Sequence, residues 1–122
     1  MIYITNAFSL TMLDDRVESY HVPMHVNIQR IGPRDVRRLL DRNPDYVSTY
    51  GHINSARHLE RLIGRPVRVN RRMLRMVPGD KVIVCSAIYH DRAAKKDADR
   101  APAWWVFHLV CLCEGRRRDH RS

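Results

Sequence analysis

Gly51-His52-Ile53-Asn54-Ser55 carries the residue types best suited to chemistry in this chain, and it stands directly before a helical pattern. A helix N-terminus presents free N–H groups and the positive end of the helix dipole, which together hold phosphate. Asn54 and Ser55 add side-chain donors, and either suits the N-cap position. A histidine beside such a site can bond a phosphodiester and give a proton to its leaving oxygen, because imidazole exchanges protons near neutral pH. On its own, a lone histidine before a helix is more often a structural or surface residue. The other histidines have plainer places: His21 and His25 on a strand, His108 in a strand, His120 in a terminal tail. No Gly-x-Gly-x-x-Gly or Gly-x-x-x-x-Gly-Lys-Ser/Thr motif is present, so a nucleotide cofactor has no support. No His-x-x-x-His pair falls on a helical pattern, no Cys-x-x-Cys knuckle occurs, and no carboxylate pair sits in an apolar context. We therefore expect no metal and no cofactor.

The charge points toward an anionic partner. Lys plus Arg number 22 against 13 acids, a net of +9. Arg57, Arg61, Arg65, Arg68, Arg71, Arg72 and Arg75 face the single acid Glu60 within one short stretch. A GC-rich genome would account for the arginine bias alone, but less readily for this clustering. Such a stripe attracts polyanions, and the planar guanidinium fork matches phosphate geometry. Weak nucleic-acid binding along the stripe is the corresponding expectation.

The elements that must position these groups fit one domain, since 122 residues is a usual domain length and buries about two-thirds of its unfolded surface. No apolar run is long enough to span a membrane, and Met1-Ile2-Tyr3-Ile4-Thr5-Asn6 does not resemble a secretory signal. With three cysteines, two of them as Cys111-x-Cys113 in an apolar run, the expected setting is cytoplasmic and without disulfides. Ile2-Tyr3-Ile4 reads as a strand, and Ala7 to Leu13 as a strand end or a single helical turn. His21 to Ile31 alternates as a half-buried strand, and Gly32-Pro33 introduces a helix carrying Val36, Leu39 and Leu40. Tyr46 to Ser55 is polar and loop-like. The next helix turns Ala56, Leu59, Leu62 and Ile63 inward and stops at Gly64 and Pro66. Val67 to Met76 is irregular, Pro78-Gly79-Asp80 a turn, Lys81 to Tyr89 a buried strand, His90 to Pro102 a loop, and Trp104 to Cys113 the last strand. The fold class is α/β: a single compact domain over residues 1–113 with a mixed four- to five-stranded sheet flanked by helices. Residues 114–122 form a basic tail that we expect to be disordered.

Several segments resemble, in order, a small family known mainly from archaeal viruses, phages and proviruses. The opening Tyr3-Ile4-Thr5-Asn6-Ala7-Phe8-Ser9-Leu10-Thr11-Met12-Leu13 is similar to its first strand followed by Asn-Ala-Phe-Ser and Met-Leu. Tyr50-Gly51-His52-Ile53-Asn54-Ser55 resembles its Ile-Gly-His-Asp-Ser-Thr segment at a helix start. Gly64, Asn70-Arg71 and Gly79-Asp80-Lys81-Val82-Ile83-Val84 follow in matching order. The family includes the viral anti-CRISPR ring nucleases, which degrade the cyclic tetra-adenylate messenger of type III CRISPR defence. The resemblance implies a metal-independent phosphodiesterase in which His52 is catalytic. It places Asn6, Ser9, Thr11, Gly51, Asn54, Ser55 and Arg71 around the ligand, with Ser86 where a family glutamine would stand, His90 where its arginine would stand, and Arg92 close by. Thr11 stands where the family usually has Asn, and the Trp104-Trp105 pair and basic tail have no family counterpart. A ring of fourfold symmetry further implies a homodimer whose pocket crosses the twofold axis.

Overall fold

Ile2 and Ile4 point to one side of the first strand and Tyr3 to the other, so β1 (Ile2–Thr5) is two-faced and lies inside the sheet. The computed structural model describes residues 1–13, 23–91 and 100–114. A short 3₁₀ turn (Leu10–Met12) follows β1, settling Ala7 to Leu13 as helical at its centre. Then come β2 (Met24–Ile31), α1 (Pro33–Arg42), β3 (Val47–Ser48), α2 (Ile53–Ile63), β4 (Lys81–Ile88) and β5 (Trp104–Glu114). The five strands form one sheet in the order β2-β5-β4-β1-β3. β1 runs parallel to β3 and β4, while β5 is antiparallel to β4 and β2. The C-terminal ends of β1 to β4 consequently share one edge of the sheet, the usual location of ligand clefts in α/β folds.

Both helices cover a single face. Val36 and Leu40 from α1 join Ala56, Leu59 and Ile63 from α2 against Ile2, Ile4, Ile83, Cys85 and Phe107. On the other face the 3₁₀ turn and the 74–76 segment do the covering, through Met12, Leu74 and Met76 against Tyr3, Val82, Val84, Val110 and Leu112. The expected flanking helices are therefore on one side only. That second layer is thin: Ile28 on β2 is 57% exposed, so the alternation from Met24 to Ile28 does not mark a fully half-buried strand. Leu62 is likewise 40% exposed at the rim of α2.

Local signals set the helix ends. Pro33 opens α1, and the Gly32 N–H donates to the Asp35 carboxylate at 2.9 Å. Gly64 ends α2 at φ 66°, a left-handed conformation that glycine adopts without cost, and its N–H closes on Glu60 O at 2.8 Å. The polar stretch expected to be all loop contains β3, which pairs with β1 over Tyr3–Val47 and Ile4–Ser48. Two residues without strand-like alternation are too short a signal to read in sequence. β5 runs to Glu114, one residue past the expected domain end; residues 115–122 lie outside the described residues. No helix among the described residues is long and apolar enough to cross a membrane.

All three cysteines are free, and they differ in reach. Cys85 is fully buried, which pushes its thiol far above the ordinary range; Cys113 is exposed. A thiol reagent should modify Cys113 rapidly and Cys85 only on unfolding, since the thiolate is the reactive form. Mass spectrometry of peptides from the native, labelled protein checks this, and rapid labelling of Cys85 would contradict the packing.

Candidate active site

Asn6 leaves the end of β1 directly beside the chain entering α2. Its Oδ1 accepts a hydrogen bond from the Gly51 N–H at 3.0 Å. From the opposite direction, Arg71 Nε donates to Gly51 O at 3.2 Å. The Gly51 peptides are thus clamped on both sides, and a Cβ at Gly51 would meet Arg71 Cγ and Asn6 Oδ1 at 3.8 Å each. One residue earlier, Tyr50 is wholly buried and donates its hydroxyl to Cys85 O at 3.1 Å, tying the approach to β4. Burial pushes that hydroxyl's pKa far up, so it stays protonated and keeps donating. Asn70 completes the frame: its N–H donates to Tyr50 O at 2.9 Å and its Nδ2 to Ser48 O at 3.0 Å.

This frame presents His52 at the head of α2. His52, not Asn54 or Ser55, occupies the N-cap, and its side chain makes no capping bond. Ser55 is buried and donates Oγ to His52 O at 3.3 Å, so it braces the turn from inside and does not offer its hydroxyl to a ligand. The sequence reading placed the cap too late because it looked for Asn or Ser, whereas the helix starts at Ile53. The N–H groups of Ile53, Asn54 and Ser55 have no acceptor among the described residues, while the Ala56 N–H closes the first turn on His52 O at 3.0 Å. The imidazole Nδ1 of His52 is shut off from solvent without a hydrogen-bond partner, leaving Nε2 as the nitrogen open to the outside. A ring nitrogen beside three free backbone donors can hand a proton to an oxygen of a phosphodiester held there.

The structure brings together Asn6, Gly51, His52, Ser55 and Arg71, with Asn54 half-buried in the first turn of α2. Ser9 and Thr11 follow Asn6 on the exposed 3₁₀ turn, where their hydroxyls bond each other at 2.6 Å and not the His52 frame. His90 packs edge-on to Trp104 with centroids 6.2 Å apart, on the far side of β4 from Asn6. Arg92 lies outside the described residues. Sequence reasoning missed Tyr50 and Asn70 as framing residues. Tyr50 is signalled only by being a large aromatic within a polar stretch, and Asn70 by its place beside Arg71.

A family model described as STIV B116-like matches residues 2–96. The chain belongs to the STIV B116-like family. Its fold is similar to that of B116 of Sulfolobus turreted icosahedral virus, with a TM-score of 0.70 at 18% identity, covering 90% of this chain and 97% of that one. At that identity the likeness concerns the fold. No curated protein matches the sequence. The family match spans Asn6, Gly51, His52, Asn70 and Arg71 and ends within the β4–β5 connection, before Trp104.

Proposed function

We propose that this family member is a ring nuclease that cleaves cyclic tetra-adenylate to linear di-adenylates with 2′,3′-cyclic phosphate ends, shutting off type III CRISPR signalling. The observation that carries the reading is the clamped Gly51 turn, which holds His52 with Nε2 outward beside the unpaired N–H groups of α2. The resemblance of this segment to the ring nucleases supplies the substrate. At two opposite linkages of the ring, the ribose 2′-oxygen attacks its neighbouring phosphorus while the bond to the departing 5′-oxygen breaks. His52 gives that oxygen its proton, and the 2′-hydroxyl proton leaves to solvent. Because the substrate carries its own nucleophile, the step requires no metal-bound water. The free N–H groups of α2 and the Arg71 guanidinium offset the charge that builds on the phosphate. Arg71 is exposed and spends only Nε on Gly51 O, which leaves its terminal nitrogens for phosphate.

In the proposed arrangement a second copy completes the site. Leu10, 75% exposed between Ser9 and Thr11, and Met73, 71% exposed just past Arg71, are apolar side chains flanking the candidate site. Burying them against a partner, with two copies of His52 meeting opposite bonds of the ring, is the arrangement proposed. Light scattering at micromolar concentration should return twice 14.4 kDa; a monomer mass would sink the shared site.

The deciding experiment incubates the chain with cyclic tetra-adenylate in EDTA and separates the products. Linear di-adenylates ending in cyclic phosphate are expected, and intact ring would overturn the proposal. The rival is a non-enzymatic binder of nucleic acid, favoured by the exposed arginines between Arg57 and Arg75. The two readings part on Arg71→Ala, which should weaken ring binding by about tenfold or more, as a lost charged hydrogen bond does, whereas Arg116→Ala should not. Equal losses in a titration would favour diffuse attraction.

A further inference from the structure

The largest cavity described, about 740 Å³, lies away from His52, between β3, the C-terminal end of α1 and the chain that follows α2. It exists because residues 66–70 are held off the outer edge of β3 by side-chain bridges. Tyr46 donates its hydroxyl to Pro66 O, and Ser48 donates Oγ to Arg68 O, each at 2.5 Å. Its volume falls in the range of small-molecule sites, roughly 300–1,000 Å³. The floor is apolar, from Leu40 and Val47, with Val69 at the rim. Two polar groups on the wall are unspent. Asn70 uses Nδ2 on Ser48 O, but its Oδ1 accepts from no described residue. Arg68 is exposed and makes no ion pair among the described residues, unlike Arg65, whose guanidinium grips Asp41 at 2.6 and 2.8 Å. With the Asp41 charge matched by Arg65, the wall carries one net positive charge.

A flat apolar body fits the floor, an amine edge fits the Asn70 oxygen, and an anionic group fits Arg68. We infer that this cavity is a second ligand site, separate from the Gly51–His52 site, for a nucleoside monophosphate. The wall it would press on is also the frame of the candidate active site. Asn70 N–H holds Tyr50 O, and the next residue, Arg71, holds Gly51 O. Occupancy therefore bears on the turn that carries His52.

The test is calorimetric titration of the full chain with adenosine monophosphate, and separately with adenosine and with inorganic phosphate. Saturable binding of the monophosphate is expected, with both fragments weaker. Arg68→Gln, at an exposed position that folding does not depend on, should weaken it about tenfold, the usual value of a hydrogen bond to a charged group. Val69→Trp, which fills the cavity from its rim, should abolish it. Arg71→Ala, which costs the ring site its phosphate contact, should leave it unchanged, so binding at the Gly51–His52 site is told apart from binding here. No saturation by about 1 mM would overturn the inference. So would binding that survives Val69→Trp or is lost in Arg71→Ala, since either places the nucleotide elsewhere. Tight binding of inorganic phosphate alone would make Arg68 a simple anion contact and refute the nucleotide class.

Discussion

His52→Ala should lower the single-turnover cleavage rate of cyclic tetra-adenylate by roughly 10²–10⁴-fold, the usual contribution of a positioned general acid or base. Ring affinity should change little, because the α2 N–H groups and Arg71 hold phosphate without the imidazole. Stability should also hold. His52 makes no side-chain cap, and its buried Nδ1 has no partner to lose, so truncation removes an unsatisfied polar atom from the frame. A packing histidine makes the opposite forecast, in which melting temperature and binding fall together. Measuring rate, affinity and melting on one sample separates the two. Full activity in the variant would remove His52 from the mechanism.

The parts of this fold that were legible in the sequence are those with local causes. Pro33 and Gly64 bound helices because one fixes φ and the other permits a left-handed cap. The run from Lys81 to Ile88 reads as a buried strand because only the sheet interior takes so continuous an apolar stretch. What escaped reading depends on long-range contact. β3 is a strand only because β1 is there to pair with it, so Val47 and Ser48 carry no pattern of their own. Ile28 alternates correctly along β2, yet it stands where no described element covers the sheet. The same division holds at the site. His52 and Gly51 were visible as a turn before a helix. The helix start at Ile53 was not, because the cap is a histidine placed by the bonds of Asn6 and Arg71 to the preceding Gly51, not by its own side chain. Ser55, expected to face phosphate, is instead spent on the carbonyl of His52.

The Asn6–Gly51 bond ties the chain leaving β1 to the turn carrying His52, and it yields the second large effect. In Asn6→Ala the Gly51 N–H loses its acceptor in a half-buried position, a cost of about 1–3 kcal/mol. The melting temperature should fall by several degrees. The Gly51 peptides would then be held by Arg71 alone, from one side. A shift of about 1 Å in a reacting group can cost about 10²-fold in rate, so cleavage should fall to that extent although His52 is intact. Asn6→Asp distinguishes this positioning role from direct contact with the ring. The carboxylate still accepts from the Gly51 N–H, so stability should return to near that of the parent chain. Its charge faces the bound phosphates, so ring affinity should drop, and more so at low salt. A melting temperature unchanged in Asn6→Ala, with affinity alone reduced, would show that Asn6 serves the ligand and not the turn. Unchanged rate, affinity and melting in that variant would mean that Tyr50, through Cys85 O, and Arg71 suffice to hold His52 in place.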